Sequence, residues 1–145
     1  MPQALMDAAR GLVDAYNRAD WEQMGALLAP DSIYDEVGTG RQARGDEEIT
    51  DLFKGWKRAM PDSEGTVTGA IDGGDSAVLE VTWRGTFTGP WSTPEGDVEP
   101  TGKQQTSRAC IVTTLQDGRI KETRQYFDSM ALMTQLGLLP TPAAA

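Results

Sequence analysis

The chain has 145 residues, a length that suits one domain with a sizeable core and is short for two. Its 22 acidic residues against 13 basic ones leave a formal charge of −9, which disfavours nucleic acid and anionic membrane surfaces, since both are bound through basic patches. There is no histidine and a single cysteine, Cys110, so an internal disulfide is excluded and proton transfer near neutral pH falls to carboxylates, Tyr, Lys or that thiol.

No basic-then-apolar leader and no long apolar run occurs, which points to the cytoplasm. The expected partners are a small molecule and a second copy of the chain. Without histidine, and with one cysteine, no metal or other cofactor is expected.

Leu5, Ala8, Ala9, Leu12, Ala15 and Tyr16 recur at spacings of three and four, which predicts one apolar stripe of a helix ending near Asn17. Asp20 followed by Gln23 resembles a capping box for a second short helix over 21–28, and Pro30 prevents its continuation. Residues 32–37 alternate loosely and turn back through Gly38-Thr39-Gly40 into 41–43, predicting two short strands. Asp46, Glu47 and Glu48 open a third helix, where the positive end of its dipole favours acids. Its stripe is Ile49, Leu52, Phe53, Trp56 and Met60, and Pro61 ends it.

The remainder predicts strands over 64–71, 76–88, 103–115 and 119–127. In the second of these Ala77, Leu79, Val81, Trp83 and Phe87 share one face, and Glu80, Thr82, Arg84, Thr86 and Thr88 the other. Residues 89–102 hold three prolines and three glycines and read as a functional loop or lid carrying Trp91. Gln116-Asp117-Gly118 predicts a three-residue hairpin loop, which would face Leu115 with Arg119 and set Ile111, Thr123, Gln125 and Phe127 on the inner face. From Asp128, a capping residue, Met130, Leu132, Met133 and Leu136 follow helical spacing until Gly137, and Pro140 keeps the helix stopped. Residues 141–145 read as a frayed tail of a single domain spanning 1–145.

Helices first and antiparallel strands afterwards imply an α+β fold. The Asp-Gly-Arg-Ile strand start, the Arg124-x-aromatic-x-Asp128 ending and the Gln-Leu-Gly helix stop carry a family resemblance. So do Ala-Tyr-Asn near the start, the Ala-Pro-Asp helix exit, GWKRAMPD and W-x-G-T-F-T-G, in that order. The chain resembles the SnoaL-like polyketide cyclases of the nuclear transport factor 2-like superfamily. The resemblance implies three N-terminal helices packed on a strongly curved, mostly antiparallel sheet, a cone-shaped half-barrel with a ligand cavity. It also implies a cofactor-independent cyclase or isomerase acting on a hydrophobic, ring-containing metabolite. The family's acid/base aspartate on the last strand falls on Gln125, and its helping histidine on the preceding strand falls on Ile111. Neither residue titrates near neutral pH, so a binding protein that has lost the chemistry is the competing reading.

Among the residues themselves, Asp35 and Glu36 alternate on one strand, so one of the two faces inward, where an apolar pocket would make it a base. Gln125 and Tyr34 would orient a carbonyl or hydroxyl, or Gln125 would serve structure alone. Tyr16, Trp56, Trp83 and Phe87, with Ile111, Thr123 and Phe127, would shape a site for flat ligands. Asp128 reads first as a helix cap and second as a catalytic acid. Cys110 reads as a buried, inert thiol. Arg84, Arg108, Arg124 and Glu122 would form an ion-pair lattice on the outer sheet face, suited to a homodimer.

Overall fold

The computed structural model describes residues 2–93 and 95–139. Helix α1 (Pro2–Arg18) and the short α2 (Trp21–Leu27) form the predicted helical hairpin, with the Asp20 side chain accepting from the Gln23 N–H at 3.1 Å. This satisfies one of the donors that the first turn of a helix leaves unpaired.

Strand β1 (Leu28–Glu36) begins four residues earlier than the sequence suggests and runs through Pro30. Its pairing with the last strand is interrupted between Leu28 and Ile33, so Pro30 lies where no regular ladder needs its missing N–H. Strand β2 (Arg41–Arg44) returns antiparallel to β1. Helix α3 (Asp46–Ala59) follows with the expected acids in its first turn and buries Ile49, Thr50, Phe53 and Ala59.

Strands β3 (Glu64–Asp72), β4 (Ser76–Thr86), β7 (Gln104–Gln116) and β8 (Arg119–Phe127) complete a six-stranded sheet in the order β2-β1-β8-β7-β4-β3. Four of its five pairings are antiparallel and β1 with β8 is parallel. The strongly curved cone-shaped half-barrel is corrected by this arrangement. The sheet is open, with β2 and β3 as its two edges, and it is not strongly curled. The 89–102 segment also has structure of its own, a two-stranded ribbon of β5 (Trp91–Thr93) and β6 (Gly96–Val98).

The β7–β8 turn corrects the expected loop length while keeping the inner face. Gln116 pairs with Arg119 around a two-residue Asp117-Gly118 turn, both residues having positive φ (55° and 80°). That register alone would set Ile111 against Arg124 and bury the arginine. A bulge beyond Leu115↔Ile120 inserts Lys121, so Thr114 faces Glu122 and Ile111 faces Gln125. The extra residue restores the parity, and Thr123 and Gln125 are buried.

The helices cover the inner face. Leu5, Ala9 and Val13 of α1 pack on Ala77, Leu79, Val81 and Ile111, and Tyr16, Met24, Tyr34, Ile49, Phe53 and Ile120 form the neighbouring cluster. Each such leucine, isoleucine or phenylalanine contributes about 1.5–3 kcal/mol relative to an exposed position. Helix α4 (Ser129–Gln135) is capped by Asp128, which accepts from the Ala131 N–H at 3.0 Å, and Gly137 ends it at φ 76°. Leu132 and Leu136 are buried beneath it, whereas Met130 is 70% exposed and stands off the expected stripe. The stop assigned to Pro140 and the tail at 141–145 lie outside the described residues. Cys110 is half-buried rather than buried, because it shares the outer face with Tyr126 in the adjoining register position.

Candidate functional site

A pocket opens between α1, α3 and α4 and the inner sheet face, with a cavity volume of about 60 Å³. Phe53, Trp56, Met60, Trp83, Phe127 and Leu132 supply its apolar wall, and Tyr16, Glu36, Ser63, Gln105, Ser107 and Gln125 its polar atoms. This is the composition expected of a small-molecule site, apolar with a few placed polar groups.

Glu36 is the one ionisable carboxylate of that lining and is fully buried. Its Oε1 accepts from Thr39 Oγ1 at 2.6 Å and from Arg41 at 3.0 and 3.3 Å; its Oε2 accepts from the Trp56 indole at 2.9 Å and the Tyr34 hydroxyl at 3.1 Å. A buried carboxylate survives only with such pairing. Arg41 in turn lies 5.5 Å from the ring centre of Trp56 and 5.9 Å from that of Trp91, and the two indoles stack at 5.0 Å. Trp91 therefore buries itself against the α3 indole that binds Glu36, which ties the β5–β6 ribbon to the site.

A second chain of hydrogen bonds begins at Trp83. Its indole N–H donates to Gln125 Oε1 at 2.7 Å, the Gln125 amide donates to the Tyr34 hydroxyl at 2.7 Å, and Tyr34 donates to Glu36. Because an indole nitrogen can only donate, the amide of Gln125 has one possible orientation, with its nitrogen towards Tyr34. Gly65, opposite Trp83 in the β3–β4 register, makes room for this ring: a Cβ there would lie 2.6 Å from it. Gly38 does the same for Phe127, at 2.8 Å.

Tyr16 and Tyr34 stay protonated. Burial pushes the Tyr16 phenol up to about 12, only partly offset by its 2.6 Å hydrogen bond with Ser63. Burial, and then the neighbouring Glu36 charge, hold Tyr34 well above its ordinary value. Lys57 lies 4.6 Å from the Tyr16 ring centre and its own pKa is lowered, chiefly by burial. It donates to the Ser63 carbonyl at 2.6 Å rather than into the pocket.

Of the residues expected at the site, Tyr16, Glu36, Trp56, Trp83, Gln125 and Phe127 line the pocket. Tyr34 stands behind them, in contact with Glu36 and Gln125. Asp35 is on the opposite sheet face, in register with Arg124 and Gln42, so the inward residue of the pair is Glu36. Phe87 packs instead with Ala59, Met60, Trp91, Leu132 and Leu136, and Ile111 with the α1 cluster. Thr123 is buried opposite Thr113, and neither hydroxyl has a hydrogen-bond partner among the described residues. Asp128 caps α4. Ser63, Gln105, Ser107 and Leu132 had no sequence signal beyond strand alternation or helix spacing. Among the described residues no group of His, Cys, Asp and Glu side chains could hold a metal ion, and no helix is long and apolar enough to cross a membrane.

Helices laid on a mixed sheet over an apolar, polar-edged pocket define a ligand-holding α+β domain. The SnoaL-like polyketide cyclase profile matches residues 6–136, and the chain belongs to that family, with its ketosteroid isomerase-like fold. Among solved structures, a protein of Jannaschia sp. CCS1 assigned as a SnoaL-like polyketide cyclase is 20% identical, with a TM-score of 0.83 over 95% of this chain and 94% of that one. IdmH of Streptomyces antibioticus, assigned as a polyketide cyclase, is 27% identical, with a TM-score of 0.74 over 91% and 97%. A hypothetical protein of Catenulispora acidiphila with a ketosteroid isomerase-like fold, in complex with trimethylamine, is 20% identical, with a TM-score of 0.76 over 94% and 98%. No curated protein matches the chain.

Proposed function

We propose that the chain binds a hydrophobic, ring-containing, oxygen-bearing metabolite in this pocket, and that any rearrangement of the polyketide cyclase or isomerase type proceeds there without a cofactor. The observation that carries the reading is the Trp83–Gln125 bond. It turns one amide N–H of Gln125 to Tyr34 and leaves the other for a ligand oxygen, beside the rings of Trp56, Trp83 and Phe127. The assigned activities of IdmH and the Jannaschia protein are of the same kind.

In the enzymatic form of this reading Glu36 is the proton acceptor, since the tyrosines of the site remain phenols at neutral pH and no other carboxylate is in the lining. One observation favours the non-catalytic form: both oxygens of Glu36 already accept from protein donors. Cytoplasmic location and a homodimer built on the outer sheet face belong to the same proposal.

The experiment is calorimetric titration with 2-acetylnaphthalene, a neutral ring compound with one carbonyl. Gln125→Ala weakens binding by one hydrogen bond, on the order of 1 kcal/mol or a few-fold. Equal affinity in wild type and variant would remove Gln125 from the site. Once a convertible ligand is found, Glu36→Gln separates the two forms: it abolishes turnover and preserves binding if Glu36 takes the proton.

A further inference from the structure

Trp91 does not line the pocket, yet its surroundings lead to Glu36. The segment that carries it leaves β4 against the end of α3: the Thr88 and Gly89 N–H groups both donate to the Ala59 carbonyl, at 3.1 and 3.0 Å, and a Cβ at Gly89 would overlap the Arg58 carbonyl oxygen. Its backbone is thus seated on the last turn of the helix that holds Trp56 one turn earlier. Trp91 follows at once, is 8% exposed, and lays its ring on that of Trp56 with an interplanar angle of 26°. Val98, on the returning strand of the ribbon, packs into the same cluster as Trp91.

We propose that Trp91 is a positioning residue for Glu36, acting through Trp56 and Arg41, so that the β5–β6 ribbon sets whether the carboxylate is held by protein donors or open to a ligand. This rests on the reading of Glu36 as the working carboxylate of the pocket. Two of the side chains that donate to Glu36 also meet Trp91: Trp56 gives Oε2 its indole bond at 2.9 Å, and Arg41 gives Oε1 its two guanidinium bonds. Neither is fixed by burial alone, since Trp56 borders the open pocket and the Arg41 side chain is 25% exposed on the edge strand β2. A side chain with open space beside it keeps the geometry its role needs only where other contacts lock its rotamer. Trp91 supplies such contacts to both at once. It stacks on the Trp56 ring, and its own ring centre is 5.9 Å from Arg41, within the roughly 6 Å at which an aromatic face holds a cation. With the ribbon lifted, the indole and the guanidinium regain rotamer freedom, and Oε2 of Glu36 loses its indole donor on the side where Trp56 borders the pocket.

The test reads the indole N–H signals of the ligand-free protein by heteronuclear NMR, assigned with Trp56→Phe and Trp83→Phe. The Trp83 indole, bonded to Gln125, is the internal control. In Trp91→Leu, which keeps an apolar side chain in the cluster and removes the flat ring, the Trp56 signal shifts and its proton exchanges about tenfold faster or more, whereas Trp83 stays within about twofold of wild type. Trp91→Phe, which restores a flat ring, keeps Trp56 close to wild type. Gly89→Ala, which lifts the segment off α3 with Trp91 unchanged, reproduces the loss at Trp56 and serves if Trp91→Leu does not fold. Unchanged protection of Trp56 in Trp91→Leu and Gly89→Ala overturns the proposal. So does equal loss at Trp56 and Trp83, which is general loosening, and so does equal loss in the leucine and phenylalanine variants, which removes the ring stack as the cause. No ligand is added, so failure here is separate from failure of the ligand reading, which the calorimetric titration decides.

Discussion

The indole nitrogen of Trp83 on β4 reaches over β7 to bond Gln125 on β8 at 2.7 Å, so two strands that are not neighbours are joined across the pocket floor. The bond fixes one ring and one amide at once. Trp83→Phe keeps most of the ring and leaves the amide oxygen without its donor. It should destabilise the protein by about 2 kcal/mol, combining a buried unpaired acceptor with a small void. Combined with Gln125→Leu in a double-mutant cycle, urea unfolding should show a coupling on the order of 1 kcal/mol; additive losses would mean the bond contributes nothing.

Glu36 holds Arg41, Trp56, Tyr34 and Thr39 together from a fully buried position. Glu36→Ala leaves those donors facing one another around a cavity, and a loss of about 3–5 kcal/mol is expected, the range for breaking a buried ion pair. In a domain of this size that lowers the melting temperature by roughly 10 °C. A shift of only one or two degrees would show that solvent replaces the carboxylate freely.

Tyr16 gives the fold an alkaline limit. Its folded pKa, about 12, stands above the ordinary phenol value of 10.0, so the folded state holds the phenolic proton more tightly than the unfolded chain does. The associated stability is complete below pH 10 and is lost as the pH rises towards 12, on the order of 2 kcal/mol. Tyr16→Phe should flatten the fall in chemical stability measured between those values. An unchanged slope in the variant would place the alkaline transition on another group.

Local chemistry made much of the fold legible, and long-range geometry made the rest illegible. The span of β8, the Asp128 and Asp20 caps and the inner face of β4 follow from alternation and from side chains that bond within three residues. The two-residue turn was not legible, because the bulge at Lys121 cancels its effect on parity, and only the sum of the two reaches Gln125. Helical spacing could place Trp56 on the inner stripe and in the pocket wall, but not as a donor to Glu36, a contact made across twenty positions of sequence. Alternation could say that one of Asp35 and Glu36 turns inward; choosing Glu36 needed the β1–β8 register. The place of Gln105 in the pocket lining depends on where β7 crosses the helices, which no local pattern encodes.

The outer face carries Arg84, Arg108 and Tyr126 exposed, with Arg124 paired to Glu122 and to the Tyr126 hydroxyl. In the proposed homodimer a second copy covers these residues. Sedimentation at micromolar concentration should then give a dimer, and Arg124→Glu should shift it to monomer. A wild-type monomer under those conditions would count against the assembly.

The central claim is that the pocket holds a ring-bearing ligand by an oxygen at Gln125. A crystal structure of the protein with 2-acetylnaphthalene tests it most directly. The account predicts the rings among Trp56, Trp83 and Phe127 and the carbonyl oxygen within hydrogen-bond distance of the Gln125 amide nitrogen. A carbonyl bound away from that amide, or rings seated outside this wall of aromatic side chains, would contradict it.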